Sequence, residues 1–312
     1  MVLQLQSVPP FRLDLTVWAL RRDYRNRIDR WNGREYRRVL LLGDTPVETL
    51  VTQTAPPERP QLAVEFVASR PGPRQQQQAA QMLTHLLGLD LDLGGFHQFA
   101  AGQQRLGVLA RRFQGLRPPC FLSVWEALVN AVSCQQLSLT VGILLMNLLA
   151  ERFGPASHAG SHAFPRPADL GGADIADLQA MGYSRNKAGT ILELAQAVAE
   201  GRLDLEAVHA LDDETAVDYL TRLKGIGRWS AQYVLLRGLR RLNVFPADDV
   251  GFQNKLAKWL HLDERLNYEG VHRVIKRWRT YGGIIYYFML LNHLQEQGHL
   301  KACPATGDAT VA

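Results

Sequence analysis

The run Leu223-Lys224-Gly225-Ile226-Gly227-Arg228-Trp229 constrains the fold more than any other stretch, because it sets two glycines between two apolar-striped helical segments. The first segment starts at Asp212 or Asp213 as N-cap and places Ala216, Tyr219, Leu220 and Leu223 on one face. The second begins at about Arg228 and carries Trp229, Tyr233 and Leu236 along one stripe, giving a hairpin over about 213–238. Gly225 and Gly227 remove the Cβ atoms where the backbone must turn and meet something closely. The first turn of the second helix offers N–H groups with no intrahelical acceptor, a seat for phosphate. Such a hairpin presents no base-reading side chains, so it suits a nucleic-acid backbone held without sequence preference. A Gly-x-Gly between helices is also an ordinary αα corner, and the glycines alone leave both readings open. Downstream, Val244-Phe245-Pro246-Ala247-Asp248-Asp249-Val250 starts a third helix with an acid. Aspartate caps helices as readily as it catalyses.

The length of 312 residues allows a sizeable core and two or three subdomains. A net charge of +5 favours a polyanionic partner. Arginines cluster at Arg21, Arg22, Arg25, Arg27 and Arg30, and again at Arg237, Arg240 and Arg241 just after the hairpin. Three cysteines, Cys120, Cys134 and Cys303, show no Cys-x-x-Cys spacing, so neither a disulfide framework nor a zinc site is indicated. The histidines form no ligand pair. No signal-peptide pattern opens the sequence and no apolar run reaches membrane-spanning length, so the expectation is an intracellular, cytoplasmic protein with no membrane partner.

Residues 1–72 read as an antiparallel β subdomain. Phe11–Val17 alternates apolar and polar, Tyr36–Leu42 is β-rich, Leu62–Val67 completes the set, and Asn32-Gly33 and Gly43-Asp44 supply turns. Arg70-Pro71-Gly72-Pro73 is a linker. From Gln75 the period becomes helical, with Ala79, Met82, Leu83, Leu86 and Leu87 on one face. Ser123-Val124-Trp125-Glu126 has the form of a capping box, opening a helix through about Ser133. Helices follow at 141–153, 174–180, 184–200 and 213–223, with a loop over 155–167. The helical part runs over 73–306, and 307–312 reads as a frayed tail.

The string Leu-x-Gly-Ile-Gly-Arg-Trp-x-Ala-x-Tyr followed by Phe-Pro-x-Asp-Asp resembles the helix-hairpin-helix DNA glycosylase superfamily, and within it the 3-methyladenine DNA glycosylase II branch. The similarity runs, more weakly, from about Gly115 through Tyr287. It implies an α+β chain in which the N-terminal sheet precedes a two-lobed all-α domain, with hairpin and acid at the cleft. It further implies excision of alkylated, cationic bases such as 3-methyladenine from double-stranded DNA by a monomeric hydrolase, associated with the nucleoid in a bacterial cell.

Cleaving the C1′–N bond builds oxocarbenium character on the sugar, which a nearby carboxylate stabilises. By resemblance that carboxylate is Asp249, with Asp248 pointing elsewhere. Bifunctional relatives carry a lysine where this chain has Trp229, and an indole cannot form an imine. The resemblance therefore implies a monofunctional enzyme that leaves an abasic site. Trp229, Tyr233 and Tyr287 are the expected aromatic pocket, since a cationic base over an aromatic face gains roughly 0.5–2 kcal/mol. Flipping a base leaves a hole to be plugged. Gln135 takes the place of the family's intercalating glutamine, and Gln136 stands where the wedge is usually apolar, with Leu137 next in line. Lys224, Gly225, Gly227 and Arg228 are the expected phosphate contacts. Family hairpins hold a monovalent cation, sodium or potassium, through carbonyls that would here come from Thr221, Leu223 and Ile226. No other cofactor is implied, and a single C-terminal cysteine rules out the four-cysteine iron–sulfur cluster of some relatives. Two alternatives stay open: a helix-hairpin-helix protein that only binds DNA, and a glycosylase for another lesion class.

Overall fold

The computed structural model describes residues 2–300; Cys303 and the expected tail lie outside the described residues. The N-terminal region is a five-stranded antiparallel sheet in the order β1-β5-β4-β3-β2, built from β1 (Val2–Gln6), β2 (Arg30–Trp31), β3 (Glu35–Leu42), β4 (Thr45–Gln53) and β5 (Gln61–Val67). β3 and β4 pair with Leu42 opposite Thr45, so Gly43-Asp44 is a two-residue turn in which Gly43 takes φ 65°. Tyr36, Val51, Leu62 and Val64 are fully buried on the sheet's inner face.

Phe11–Val17 is not a strand. Residues Leu13–Arg21 form helix α1, with Leu13, Leu15, Val17, Ala19 and Leu20 all buried. The helix lies between two hydrophobic cores: Leu13, Val17 and Leu20 join one, Leu15 and Ala19 the other. A helix buried on opposite faces has no polar stripe, so its spacing mimics alternation.

The helical part continues through α2 (Pro73–Leu87), α3 (Gly94–Ala101), α4 (Gln104–Arg112), α5 (Val124–Cys134), α6 (Leu139–Phe153), α7 (Ile175–Ala180) and α8 (Arg185–Ala199). It ends with α9 (Asp213–Thr221), α10 (Arg228–Arg237), α11 (Val250–Leu260), α12 (Tyr268–Ile275) and α13 (Gly282–Glu296). Ser123 caps α5 by accepting from the Glu126 N–H at 3.1 Å. The Glu126 carboxylate does not close the box; it takes the Arg38 guanidinium from β3 at 2.7 and 2.8 Å. Arg38 also donates to Asp29 at 2.7 Å, and Tyr36 donates to the same oxygen at 2.7 Å. Burial pushes the Glu126 carboxyl upward against the pull of Arg38.

The two cores give two lobes. One joins the sheet to α2, α5, α6 and α8–α10; the other holds α3, α4 and α11–α13. Helix α10 contributes Tyr233, Val234 and Leu235 to the first and Leu236 to the second. Among the described residues no helix is long and apolar enough to cross a membrane.

The ion cluster binds the sheet to the helix that ends at the wedge loop. Removing one buried partner strands the others, so Glu126→Ala should lose about 3–5 kcal/mol of stability. Urea denaturation checks this, and a loss below ~1 kcal/mol, the scale of an exposed pair, would contradict it.

Candidate active site and nucleic-acid interface

The hairpin forms as the glycines require. Asp212 caps α9 by accepting from the Thr215 N–H at 2.9 Å. Gly225 takes φ 79°, and a Cβ there would lie 2.3 Å from Thr190 Oγ1 of α8. The close approach at Gly225 is thus to the protein's own helix. Gly227, the N-cap of α10, has nothing within 4 Å of an added Cβ, so this glycine faces open space. Buried Ile226 anchors the turn and donates its N–H to the Leu223 carbonyl at 3.1 Å. The exposed Lys224 pairs with Glu193 at 2.6 Å, away from the turn carbonyls. α9 ends at Thr221, and of the turn carbonyls that of Leu223 already accepts the Ile226 N–H.

The acid-bearing loop is tied to the hairpin by Arg228, whose guanidinium holds Asp248 at 2.6 and 3.1 Å and stacks 3.8 Å over Tyr268. Asp248 is thereby turned away from its neighbour. Asp249 is the N-cap of α11: Oδ1 accepts from the Phe252 N–H at 2.9 Å, and Oδ2 accepts from the Tyr286 hydroxyl at 3.2 Å. The positive end of the helix dipole favours a carboxylate there. Tyr286 stacks flat on Phe252, centroids 3.7 Å apart, and Phe245 closes the aromatic triangle. Burial first, and then the charge of Asp249, raise the Tyr286 phenol well above its ordinary value, so it stays a donor.

Tyr287, expected in the pocket, is fully buried, with its hydroxyl on the Pro119 carbonyl at 2.6 Å and its ring 5.1 Å from the Arg237 guanidinium. Successive helical residues lie about 100° apart, and it is Tyr286 that faces the acid. Tyr233 lies beneath Trp229 at 5.5 Å between centroids. Its hydroxyl donates to Asn130 Oδ1 at 2.7 Å and accepts from Arg22 at 2.8 Å. Arg22 also donates to Asn130 at 2.8 Å. Trp229 is half-buried, and its indole N–H is buried with no acceptor among the described residues.

Gln135 ends α5 and donates to the Gly225 carbonyl and to Ser230 Oγ, both at 2.9 Å. It therefore joins the wedge loop to the hairpin from within. Lys187 supports the same loop, donating to the Gln135 and Ser133 carbonyls at 2.6 and 3.2 Å. Gln136 and Leu137 are exposed at the tip, and Gln136 takes a left-handed φ of 54°. Such a conformation costs a non-glycine residue of order 1 kcal/mol.

Hairpin, acid and wedge loop are thus contiguous, and the sequence of this region decides the family: residues 129–280 match the HhH-GPD superfamily of base excision DNA repair proteins. The chain belongs to that superfamily. Among HhH-GPD relatives, the DNA-3-methyladenine glycosylase of Bacillus subtilis is 28% identical over 78% of this chain and 82% of its own length. DNA-3-methyladenine glycosylase 2 of Escherichia coli is 34% identical over 46% of this chain, so the chain spans about half (51%) of that relative. The solved 3-methyladenine DNA-glycosylase of Archaeoglobus fulgidus superposes with a TM-score of 0.82 at 26% identity, covering 93% of this chain and 97% of that one.

Asn130, Lys187, Thr190, Ser230 and Tyr286 support this site without being singled out by sequence reasoning, and Arg22 is named there only as one of an arginine cluster. The tandem Tyr286-Tyr287 is a signal, but its phase about the helix is not readable from the sequence. Gly225→Ala should lower the melting temperature by several degrees through strain at φ 79° and collision with Thr190, whereas Gly227→Ala should leave it within a degree or so. Equal effects in thermal unfolding would contradict these two environments.

Proposed function

We propose that this protein is a monofunctional DNA glycosylase that flips alkylated, cationic bases such as 3-methyladenine out of double-stranded DNA and hydrolyses their N-glycosidic bond. The observation that carries the reading is Asp249, held at both oxygens by the Phe252 amide and the Tyr286 hydroxyl on the loop that Arg228 ties to the hairpin. The names of the relatives support the substrate class.

In this mechanism the α10 first-turn amides and the open Gly227 seat a phosphate. The exposed Gln136 and Leu137 enter the gap left by the flipped nucleotide. Trp229, half-buried, offers its ring face to the cationic base. Positive charge develops at C1′ as the bond to the base nitrogen breaks, and the fixed Asp249 carboxylate stabilises it. Water adds its oxygen to C1′, the bonding electrons leave with the base, and the water proton passes to solvent. A base that was cationic departs neutral, which lowers the barrier before the protein contributes. Trp229 provides no amine, so no imine forms and an abasic site remains. A sodium or potassium ion on the Thr221, Leu223 and Ile226 carbonyls would stiffen the turn.

Asp249→Asn should retain DNA binding and lose base release from methylated DNA by on the order of 10²-fold or more, since the lost charge acts mainly on the transition state. Near-normal release by this variant would refute the role of Asp249. Borohydride should trap no wild-type enzyme on DNA; a covalent adduct would refute the monofunctional reading. Gly227→Ala should weaken duplex binding uniformly across sequences, as electrophoretic titration of unrelated duplexes would show.

A further inference from the structure

The lobe of α3, α4 and α11–α13 carries a surface that the proposed reaction does not use. Two adjoining grooves of about 620 and 640 Å³ flank α11 and share Arg105 and Trp259. Together they are lined by Arg105, Arg112, Lys255, Lys258, Arg273 and Arg277, against a single carboxylate, Glu296. Of these six cations only Lys258 is in an ion pair among the described residues, with Glu296 at 3.0 Å, while the half-buried Lys255 lies over the Phe252 ring and within the field of Asp249. Arg105 donates to the Trp259 carbonyl at 2.7 Å and Arg112 to the Asn292 carboxamide at 2.9 Å, contacts that leave their charges uncompensated. Arg277 stacks 4.6 Å over Trp278, which packs 5.8 Å from Trp259.

The arginine-rich segment near the N-terminus is the opposite case. Arg25, Arg27, Arg30 and Arg37 also border a groove, but each meets an acid: Asp23, Glu151, Glu48 and Glu35 respectively. Its charge is balanced within the protein. The α11 surface has not been neutralised in this way. Burying or crowding like charges without acids costs stability, so their accumulation along two connected grooves points to an external polyanion.

We propose that these grooves are a second DNA-contact surface, which holds duplex phosphates outside the lesion site. Guanidinium groups pair with phosphate in bidentate fashion, and the indole shelf of Trp259 and Trp278 keeps Arg277 extended for that contact. α11 links the two regions physically: it starts at Asp249, and Lys255 and Lys258 lie about 9 and 13 Å further along its axis. At about 3.4 Å per nucleotide of a strand, that offset spans only a few nucleotides. The inference rests on the DNA reading above for the identity of the polymer, and goes beyond it in assigning contacts to this lobe.

The test uses undamaged duplex DNA and the full chain. Lys258, Arg273 and Arg277 are exposed, so the triple variant Lys258→Gln/Arg273→Gln/Arg277→Gln should melt as the wild type does. Its log–log salt dependence of binding should be shallower by about 1.8, at ~0.9 for each of the unpaired Arg273 and Arg277, with Lys258 adding less because it already carries Glu296, and with affinity at low salt reduced about tenfold or more. Arg273→Lys/Arg277→Lys, which keeps the charge, should retain most of the wild-type slope. Should the triple variant unfold, Arg273→Gln alone should still lower the slope by about 0.9. A folded triple variant with unchanged affinity and slope overturns the proposal. So does a variant that loses binding to polyglutamate while keeping its DNA affinity, which would make an acidic polypeptide the partner. Base release by the wild-type protein tests the glycosylase reading separately, so failure of one is distinguishable from failure of the other.

Discussion

The Arg22 guanidinium, buried without a carboxylate, is the contact on which the arrangement of the site depends. It binds Tyr233 of α10 and Asn130 of α5, while its own backbone terminates α1 in a left-handed conformation. One side chain therefore sets three helices that belong to both cores. α5 ends at the loop of Gln135, Gln136 and Leu137, α10 begins at the hairpin turn, and α1 joins both cores. Tyr233 and Asn130 meet the two terminal nitrogens of Arg22, while its Nε is buried with no partner among the described residues, so a shift of either helix would strand still more of the buried charge. The cost of that charge is converted into a fixed register between wedge and hairpin.

The acid loop also gives one residue two roles. Asp249 is the cap that allows α11 to begin and, in the proposed mechanism, also the carboxylate that acts at the sugar. An N-cap carboxylate has its rotamer fixed by the amide it satisfies, so the orientation needed for reaction comes with the fold. Tyr286 completes the hold from α13, and Asp248, engaged by Arg228, is kept from competing.

The helical hairpin, its acid and most helix limits are readable in the sequence, because caps and turn glycines act locally: Asp212, Ser123, Asp249 and Gly227 sit where their chemistry demands. What the sequence misplaces depends on neighbours distant along the chain. α1 looks like a strand because two cores bury it from opposite sides. Tyr286 and Tyr287 cannot be told apart, since only packing phases a helix whose every face is apolar. Gln135, which matches the family's intercalating glutamine, holds its carboxamide on Gly225 and Ser230, a pairing no local pattern announces, with Gln136 and Leu137 exposed beside it. The sequence calls for a close approach at Gly225, and Thr190 makes one. No local pattern encodes a contact with so distant a residue.

Arg228 and Lys224, which flank the glycines of the hairpin turn, each carry an internal anion, Asp248 and Glu193. A phosphate that arrives there replaces one anion with another instead of expelling a mobile counterion. The usual entropic gain of charge neutralisation is then largely absent at the hairpin, and these two residues contribute orientation more than affinity. A displaced Asp248 would also be released beside Asp249, adding negative potential next to the sugar at the moment the backbone docks. Contact with the backbone and charge at the reaction centre would then be coupled through one ion-pair exchange.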